Sequence, residues 1–297
     1  MALASEFQNK VAPEPQPAKR KRSKWRAVWR NKPLVIGGII VLLVLVAAVF
    51  APFLSHYGPN SVDTNSVLQP PGGKHWLGTD ELGRDEYARI LMGARTSMVV
   101  SVGSLIVGLV IGVPVGLISG FYRGFMDDWI IMRIVDAMQA FPFLILALVL
   151  AAMLGPGERN AMIAIGVGYV PIFVRIVRGQ VLGELEREFV SAARMIGASD
   201  WRIMWKHIFP NTLTPLIVQA TLAMASGIVA EASLSYLGLG AQPPTASWGT
   251  MLNTAQGYMG EATWLAVFPG VAIAIAVLGF NLLGDGLQRW LDPRRRH

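Results

Sequence analysis

Long apolar runs alternate with shorter polar connections along this chain of 297 residues. A helix needs about 20 largely apolar residues in a row to cross the hydrocarbon core of a bilayer. Six stretches meet or approach this length, and we predict a membrane-spanning helix for each of them: residues 34–54, 98–118, 137–157, 160–177, 208–230 and 263–283. The pattern therefore predicts an all-α membrane protein with six transmembrane helices.

Local signals support several of these helices. The first run is entered through Asn31, Lys32 and Pro33, and proline is well tolerated in the first turn of a helix. The fourth run is the shortest, because only 15 residues separate Arg159 from Arg175, but arginines at helix ends can extend to the membrane interface. Glycines recur mostly every four positions in the second run, which predicts close helix packing: Gly103, Gly108, Gly112, Gly116 and Gly120.

The amino-acid composition supports the prediction of a membrane-embedded protein. Hydrophobic residues make up 53% of the chain and charged residues only 15%, whereas soluble domains carry about a quarter charged residues. The net charge of +7 fits a nucleic-acid binder, a binder of acidic partners, or a membrane protein with its basic residues on one side. With six spans, 21 of the 26 lysines and arginines fall on the side of the N-terminus. The positive-inside rule then predicts that both termini are cytoplasmic.

The basic tail precedes the first predicted span directly. The run 19–32 lies next to a membrane helix, so anionic lipid headgroups are its expected partner rather than nucleic acid. Trp25, Val28 and Trp29 share one helical face, which favours a short interfacial helix within the cytoplasmic tail 1–33. For residues 1–23 a solvated tail is an equal alternative, because Pro13, Pro15 and Pro17 disfavour regular structure.

The sequence contains no signature of an enzyme. It has no cysteine, which excludes disulfides and thiolate metal sites, and its four histidines lack metal-ligand spacing. There is no G-x-x-x-x-G-K-[ST] loop for ATP phosphates and no G-x-S-x-G context for a nucleophilic serine. We therefore predict no catalytic residue, no metal site and no cofactor in this chain.

The connection between the fourth and fifth spans predicts two short helices with a tight corner. Its first helix carries one apolar face with small residues, composed of Phe189, Ala192, Ala193 and Ile196. Gly197 is expected to end that helix, and Ser199 or Asp200 to cap a second one with Trp201, Met204, Trp205 and Ile208 before Pro210 ends it. Such helices could lie on the membrane, but the mix of aromatic and small residues favours docking into a protein groove.

Four blocks of the sequence resemble one family. Ser191-Ala192-Ala193 with Gly197 and Pro210 resembles the EAA signature of ABC importer permeases, although Ser191 replaces the usual glutamate and His207 the usual isoleucine. Residues 77–97, 234–252 and the C-terminal blocks 268–270, 280–287 and 291–293 are similar to the C-type permease of dipeptide, oligopeptide and nickel importers. The resemblance extends from about residue 25 to the C-terminus.

This resemblance implies a type I ABC importer permease fold in the bacterial inner membrane. The permease domain would span residues 34–288, with periplasmic segments 56–96 and 240–262 and a cytoplasmic tail 289–297. Its expected partners are a homologous B-type permease, two cytoplasmic ATPases that bind ATP and Mg²⁺, and a periplasmic or lipid-anchored solute-binding protein. The ATPase-coupling loop 184–212 would act through these residues: Ser191, Ala192, Ala193, Gly197, Asp200, Trp201 and Pro210.

The solute itself stays open at this point. Dipeptides, longer peptides, glutathione and nickel are all substrates within the family that the chain resembles. A self-contained secondary transporter or channel is the alternative class of function. It is disfavoured because the sequence shows neither an internal repeat nor a series of acidic residues within the spans.

Two further groups of residues are candidates for function. The periplasmic block is expected to form a turn, a helix cap and local ion pairs beneath the docking surface of the binding protein: Gly78, Thr79, Asp80, Gly83, Arg84 and Asp85. Among acids at the edges of spans, Asp136 is expected to pair with nearby Arg133, and Asp285 to cap or to pair with a neighbouring chain. Glu231 is expected either to line the pathway or to brace the outer loop.

Overall fold

The computed structural model describes residues 31–291, and this part of the chain is built almost entirely from helices. Two π-helical segments, Met126–Ile131 and Ile203–Ile208, and a 3₁₀ turn, Thr64–Ser66, interrupt or connect the α-helices. The α-helices are α1 (Lys32–Leu54), α2 (Glu86–Tyr122), α3 (Met132–Gln139), α4 (Phe143–Leu154), α5 (Glu158–Leu185), α6 (Glu188–Met195), α7 (Asp200–Arg202), α8 (Phe209–Tyr236), α9 (Trp248–Gln256) and α10 (Trp264–Leu291). The predicted N-terminal interfacial helix and residues 292–297 lie outside the described range.

Five helical stretches are long and apolar enough to cross a membrane. They are α1, α2, α5, the continuous stretch Asp200–Tyr236 that contains α7 and α8, and α10. The remaining predicted span, the third, is broken, because Met126–Gln139 and Phe143–Leu154 meet at an angle of 95°. The six-span prediction is confirmed when this bent pair is taken as one span.

The break in the third span has a local cause at Pro142. A residue that precedes proline is pushed out of the helical region, and proline has no amide hydrogen to continue the helical bonds. Pro142 adopts φ −53° and ψ 135° and stands just before α4. With 12 residues, α4 rises only about 18 Å, so it fills part of the bilayer thickness and α3 turns sideways beneath it.

The helices alternate in direction between two ends of the bundle. We call the end that carries the connection 186–208 the lower end, and the end that carries residues 55–85 and 237–263 the upper end. Asn31 begins α1 as its cap, and its side-chain Nδ2 donates a 2.7 Å hydrogen bond to the carbonyl oxygen of Gly286 near the end of α10. Both ends of the described chain therefore lie at the lower end, together with the connection 186–208.

The glycine stripe of α2 packs against α5, as predicted. A Cβ atom on Gly108 would lie 2.7 Å from the Cβ of Tyr169, and a Cβ atom on Gly112 would lie 2.7 Å from the Cβ of Phe173. Tyr169 and Phe173 are among the largest fully buried side chains of the described chain. Since the paired positions rise together in number, α2 and α5 run parallel and form the centre of the bundle.

The helix that leads into the fifth span does not end at Pro210, so that prediction is wrong. Pro210 lies in the first turn of α8, and the helical path is continuous from Asp200 to Tyr236. The π-helical segment Ile203–Ile208 widens the turn just before the proline. Wider turns of this kind accommodate the missing amide hydrogen and the bulk of the ring.

Candidate coupling surface and upper scaffold

Gly197 ends α6, as the sequence predicts. Its φ of +78° lies in the left-handed region that favours glycine. Its amide donates to the carbonyl oxygen of Arg194 at 3.0 Å, and the amide of Ala198 donates to that of Ala193 at 3.0 Å. These bonds satisfy carbonyl groups at the end of α6 and reverse the chain toward α7.

The inner face of α6 joins it to the bundle. Val190 and Ala193 are buried in the same cluster as Phe121 of α2 and Val181 of α5. The guanidinium carbon of Arg194 also lies 5.8 Å from the centre of the Phe121 ring. The predicted apolar face is thus divided, because Ala193 points inward whereas Phe189, Ala192 and Ile196 stay exposed.

The outer side of this connection presents large apolar groups. Ile196 is 84% exposed, and we call the surface formed by Phe189, Met195, Ile196 and Trp201 the coupling surface. Apolar side chains grouped on a surface mark a site of interaction with protein or membrane. Of the four residues, Phe189 is the least exposed, at 36%.

The remaining residues of the predicted coupling loop surround this surface. Ser199 takes the cap position of α7, but its side chain makes no capping hydrogen bond. Ser191, Asp200 and Pro210 are exposed. The ring of Trp201 lies 5.5 Å from that of Trp205, and Trp205 packs edge-on against Phe209 at the start of α8. The coupling surface is therefore connected to α8 through a row of aromatic rings in contact with one another.

An ion-pair network that sequence reasoning missed holds the lower end of α5. Arg178 donates from Nε and Nη2 to the carboxylate of Asp127, with the shortest contact at 2.6 Å, and the hydroxyl of Ser119 also donates to Asp127. The Asp127 side chain is only 3% exposed. Because these residues belong to α2, α5 and the π-helical segment, the network joins three elements. The feature of the sequence that could have revealed this network is the pair of adjacent acids, Asp127 and Asp128, that follows the second span.

Asp136 pairs with a different arginine from the one predicted. Its Oδ1 accepts a 2.6 Å bond from Nη2 of Arg175 on α5, and both side chains are about half exposed. Arg133 instead lies over the ring of Trp129, 5.4 Å from its centre. The prediction of an Asp136–Arg133 pair is therefore wrong, because helix α3 turns Asp136 toward α5.

The upper block forms the predicted turn, cap and local ion pairs. Asp80 accepts a 2.6 Å bond from Nε of Arg84 and lies 3.4 Å from Nε of Arg89. Asp85 begins α2 by accepting the amide hydrogen of Ala88 at 2.8 Å, while Nδ1 of His75 lies 2.8 Å from its other oxygen. Asp80, Arg84 and Asp85 are all buried, so this block is internal scaffold rather than surface.

Tight backbone approaches shape the same block. Gly78 and Gly83 have φ of +82° and +72°, and a Cβ atom on Gly83 would lie within 2 Å of the carbonyl oxygen of Asp63. The Ser66 hydroxyl donates to the Asp63 carboxylate and lowers the pKa of that group below its ordinary value. Thr79 is fully buried, and its carbonyl oxygen accepts a 3.3 Å bond from Nε1 of Trp264. The upper segment 55–85 is thus held against the start of α10.

Glu231 and Asp285, the two remaining candidate acids at the edges of spans, lie in different surroundings. Glu231 is 1% exposed near the upper end of α8 and accepts hydrogen bonds from serine hydroxyls. Asp285 is exposed near the lower end of α10, between two glycines that pack against α8 and α1. The structure brings neither of them to the coupling surface.

Comparisons with known proteins agree on one family. Residues 112–297 match the family model described as binding-protein-dependent transport system inner membrane component, and residues 22–71 match the N-terminal transmembrane domain of oligopeptide transport permease C. The dipeptide transport system permease protein of Escherichia coli (strain K12) is 46% identical over 293 residues, which cover 97% of each chain. The corresponding protein of Alkalihalophilus pseudofirmus is 42% identical over 296 residues, covering 96% of this chain and 95% of that protein.

A further relative and a solved structure complete these comparisons. The glutathione transport system permease protein of Pectobacterium atrosepticum is 42% identical over 278 residues, covering 92% of each chain. A chain from an inward-facing structure of the MetNI methionine ABC transporter shares the fold, with a TM-score of 0.57 and 23% identity, over 68% of this chain and 95% of that one. The chain described here therefore belongs to the family of binding-protein-dependent transport system inner membrane components.

Proposed function

We propose that this chain is the permease subunit that forms half of the pathway of an ATP-driven importer of dipeptides. It pairs with a homologous B-type permease, and two cytoplasmic ATPases and a solute-binding protein complete the assembly. We choose dipeptides as the substrate because the chain is 42% and 46% identical to two dipeptide transport permeases over nearly its full length. The bundle is a multi-pass protein of the inner membrane, which is the location of its family.

The exposed coupling surface supports docking of an ATPase at the lower end. Phe189, Ile196 and Trp201 offer an apolar knob of the kind that fits a protein groove. Basic groups beside it, such as Arg187 and Arg202, remain in contact with water. In this proposal the lower end is cytoplasmic, and no residue of this chain hydrolyses ATP.

The way α6 and α7 join the bundle supports a lever-like transfer of motion. Val190 and Ala193 fix α6 against α2 and α5, and the continuous helical path from Asp200 to Tyr236 carries displacement of α7 into the membrane. When ATP closes the two ATPases, the knob moves with them and changes the equilibrium between inward-facing and outward-facing states. The pathway then accepts a dipeptide from the binding protein at the upper end.

A reconstituted assay tests the function directly. The chain is co-purified with its B-type partner and ATPases, placed in liposomes, and supplied with the binding protein loaded with a radiolabelled dipeptide. We expect uptake that needs ATP on the ATPase side, and none with the permease chain alone. Uptake by the lone chain would establish a secondary transporter or channel instead. Transport of glutathione but not of dipeptides would overturn the choice of substrate.

A glycine replacement tests the coupling surface separately. Gly197→Ala forces a side chain into a left-handed conformation at a strain of roughly 1–2 kcal/mol, which distorts the corner between α6 and α7. We expect a clear loss of ATPase co-purification and of uptake. Gly183→Ala is the matched control, because Gly183 is helical and exposed, and an added Cβ atom would have no atom within 4 Å apart from its own stretch of helix backbone. Unchanged ATPase binding in Gly197→Ala would show that this corner has no role in coupling.

A further inference from the structure

Glu231 is a buried acid that joins α8 to α2 at the upper end. One carboxylate oxygen, Oε2, accepts a 2.6 Å hydrogen bond from the hydroxyl of Ser97 on α2. The other, Oε1, accepts a 2.8 Å bond from the hydroxyl of Ser235, one turn further along α8. Both serines are as deeply buried as the carboxyl group itself. Glu231 therefore fixes the upper part of α8 to α2 through bonds that are shielded from water.

Ser235 extends this connection into the loop after α8. Its Oγ accepts a 3.1 Å hydrogen bond from the amide of Ala241. Gly240 and Gly249 approach the same serine so closely that a Cβ atom on either would lie less than 3.0 Å from Ser235 atoms. The segment 237–247, which we call the upper loop, is thus held against α8 at the hydroxyl group that Glu231 orients.

Stability of the fold does not explain why residue 231 is an acid. Among residues 31–291, no lysine, arginine or histidine nitrogen lies within 4.0 Å of the Glu231 carboxylate. Burying a carboxyl group without a cationic partner is unfavourable, and an apolar side chain would fill the same space at lower cost. What an apolar side chain lacks is the ability to accept bonds from α2 and from Ser235 together.

The upper loop is exposed at its tip and buried where it leads into α9. Gln242, Pro243 and Pro244 are exposed at the tip of the loop, whereas Ser247 caps α9 from a fully buried position. Trp248, the first residue of α9, donates a 3.1 Å bond from Nε1 to the carbonyl oxygen of Ile90 on α2. The tip is therefore exposed, while both of its ends are fixed to the Glu231 region and to α2.

We propose that Glu231 is a positioning residue that holds the upper loop in the shape that the solute-binding protein recognises. The proposal rests on the proposed function, because it takes the upper end as the side where the binding protein docks. Glu231 itself contacts neither solute nor binding protein. It acts through Ser235 and the upper loop, at a distance from the coupling surface where the ATPases dock.

Stimulation of ATP hydrolysis by the binding protein measures this role. In the reconstituted complex, ATPase activity is followed against the concentration of dipeptide-loaded binding protein. We expect Glu231→Ala to raise the concentration for half-maximal stimulation about tenfold, because two buried hydroxyls lose their acceptor and the loop loosens. Basal ATPase activity without binding protein is expected to stay unchanged, since the lower end is intact.

Three companion variants make the test decisive. Glu231→Gln keeps the side-chain shape, and its amide can accept a hydrogen bond from one serine hydroxyl and donate one to the oxygen of the other, so we expect it to restore half-maximal stimulation to the wild-type concentration. Ser97→Ala removes only the bond to α2, and we expect an intermediate shift even if Glu231→Ala fails to fold. Ser233→Ala is the matched control, because that hydroxyl bonds to Val229 within α8. We expect this variant to behave as wild type.

The outcomes separate the two proposals. If Glu231→Ala and Ser97→Ala both respond to binding protein as wild type does, Glu231 does not position the loop. A loss in Glu231→Gln as large as in Glu231→Ala also overturns the positioning role, because hydrogen bonding alone would then be insufficient. A wild-type complex that shows no stimulation by any dipeptide-loaded binding protein would instead contradict the proposed function.

Discussion

Arg175 and Arg178, one turn apart on α5, form ion pairs in different surroundings. Arg178 holds Asp127, which is 3% exposed, whereas Arg175 and Asp136 are 50% and 49% exposed. Removing one partner of a buried pair leaves an uncompensated charge, but an exposed pair contributes little because water solvates both groups. At the residue scale, burial therefore determines which of the two pairs stabilises the lower end.

Replacing each arginine in turn tests this difference. We expect Arg178→Ala to lower the free energy of unfolding by about 3 kcal/mol, because Asp127 stays buried without its cation. Arg175→Ala is the control and should cost less than about 1 kcal/mol. Thermal unfolding of the purified variants in detergent provides the measurement. Equal losses in the two variants would contradict the importance of burial.

Helix packing in the centre of the bundle depends on glycines at the element scale. Gly112 lies against Phe173 of α5, whereas Gly38 on α1 has open space around it. Both residues are helical, so an added methyl group favours the helix by a similar amount at each position. Only the surroundings differ, which makes the two positions a matched pair.

The Gly112→Ala variant is expected to be destabilised. Its Cβ atom would lie 2.7 Å from the Cβ of Phe173, and α2 and α5 must move apart to relieve the contact. Overpacking of this kind costs about 1–3 kcal/mol. We expect a lower unfolding temperature in detergent and no decrease for Gly38→Ala. A Gly112→Ala protein as stable as Gly38→Ala would show that the α2–α5 contact is looser than described.

At the scale of the whole molecule, the direction of the bundle in the membrane is a prediction from charge. The structure places residue 31, residue 291 and the connection 186–208 at one end, and the excess of lysines and arginines predicts that this end is cytoplasmic. Because the chain has no cysteine, single cysteines can be introduced without background reaction.

Labelling of such cysteines with a membrane-impermeant maleimide tests the orientation. We expect Met259→Cys at the upper end to react in intact spheroplasts, and Gln288→Cys at the lower end to react only after permeabilisation. Both positions are exposed in the structure. Val110→Cys, which is exposed within the apolar part of α2, should react in neither case. Reaction of Gln288→Cys in intact spheroplasts would reverse the orientation.

Features that depend on a local pattern of residues were predictable from the amino-acid sequence. Apolar run length specified six membrane crossings, and glycine spacing specified the face of α2 that meets another helix. Gly197 was recognisable because a left-handed turn after a helix favours glycine whatever lies around it. The motifs of the coupling loop were equally visible, since each is a short segment of contiguous chain.

Features that depend on partners far apart in the chain became visible when the helices were seen packed together. Ser97 and Glu231 are 134 positions apart, and Asp136 and Arg175 are 39 apart, so no local periodicity could pair them. The inward face of α6 likewise follows from the helices that lie beside it. Apolar patterning specifies that a segment is buried or crosses a membrane, but hydrogen-bond partners and facing surfaces are fixed only when the helices pack.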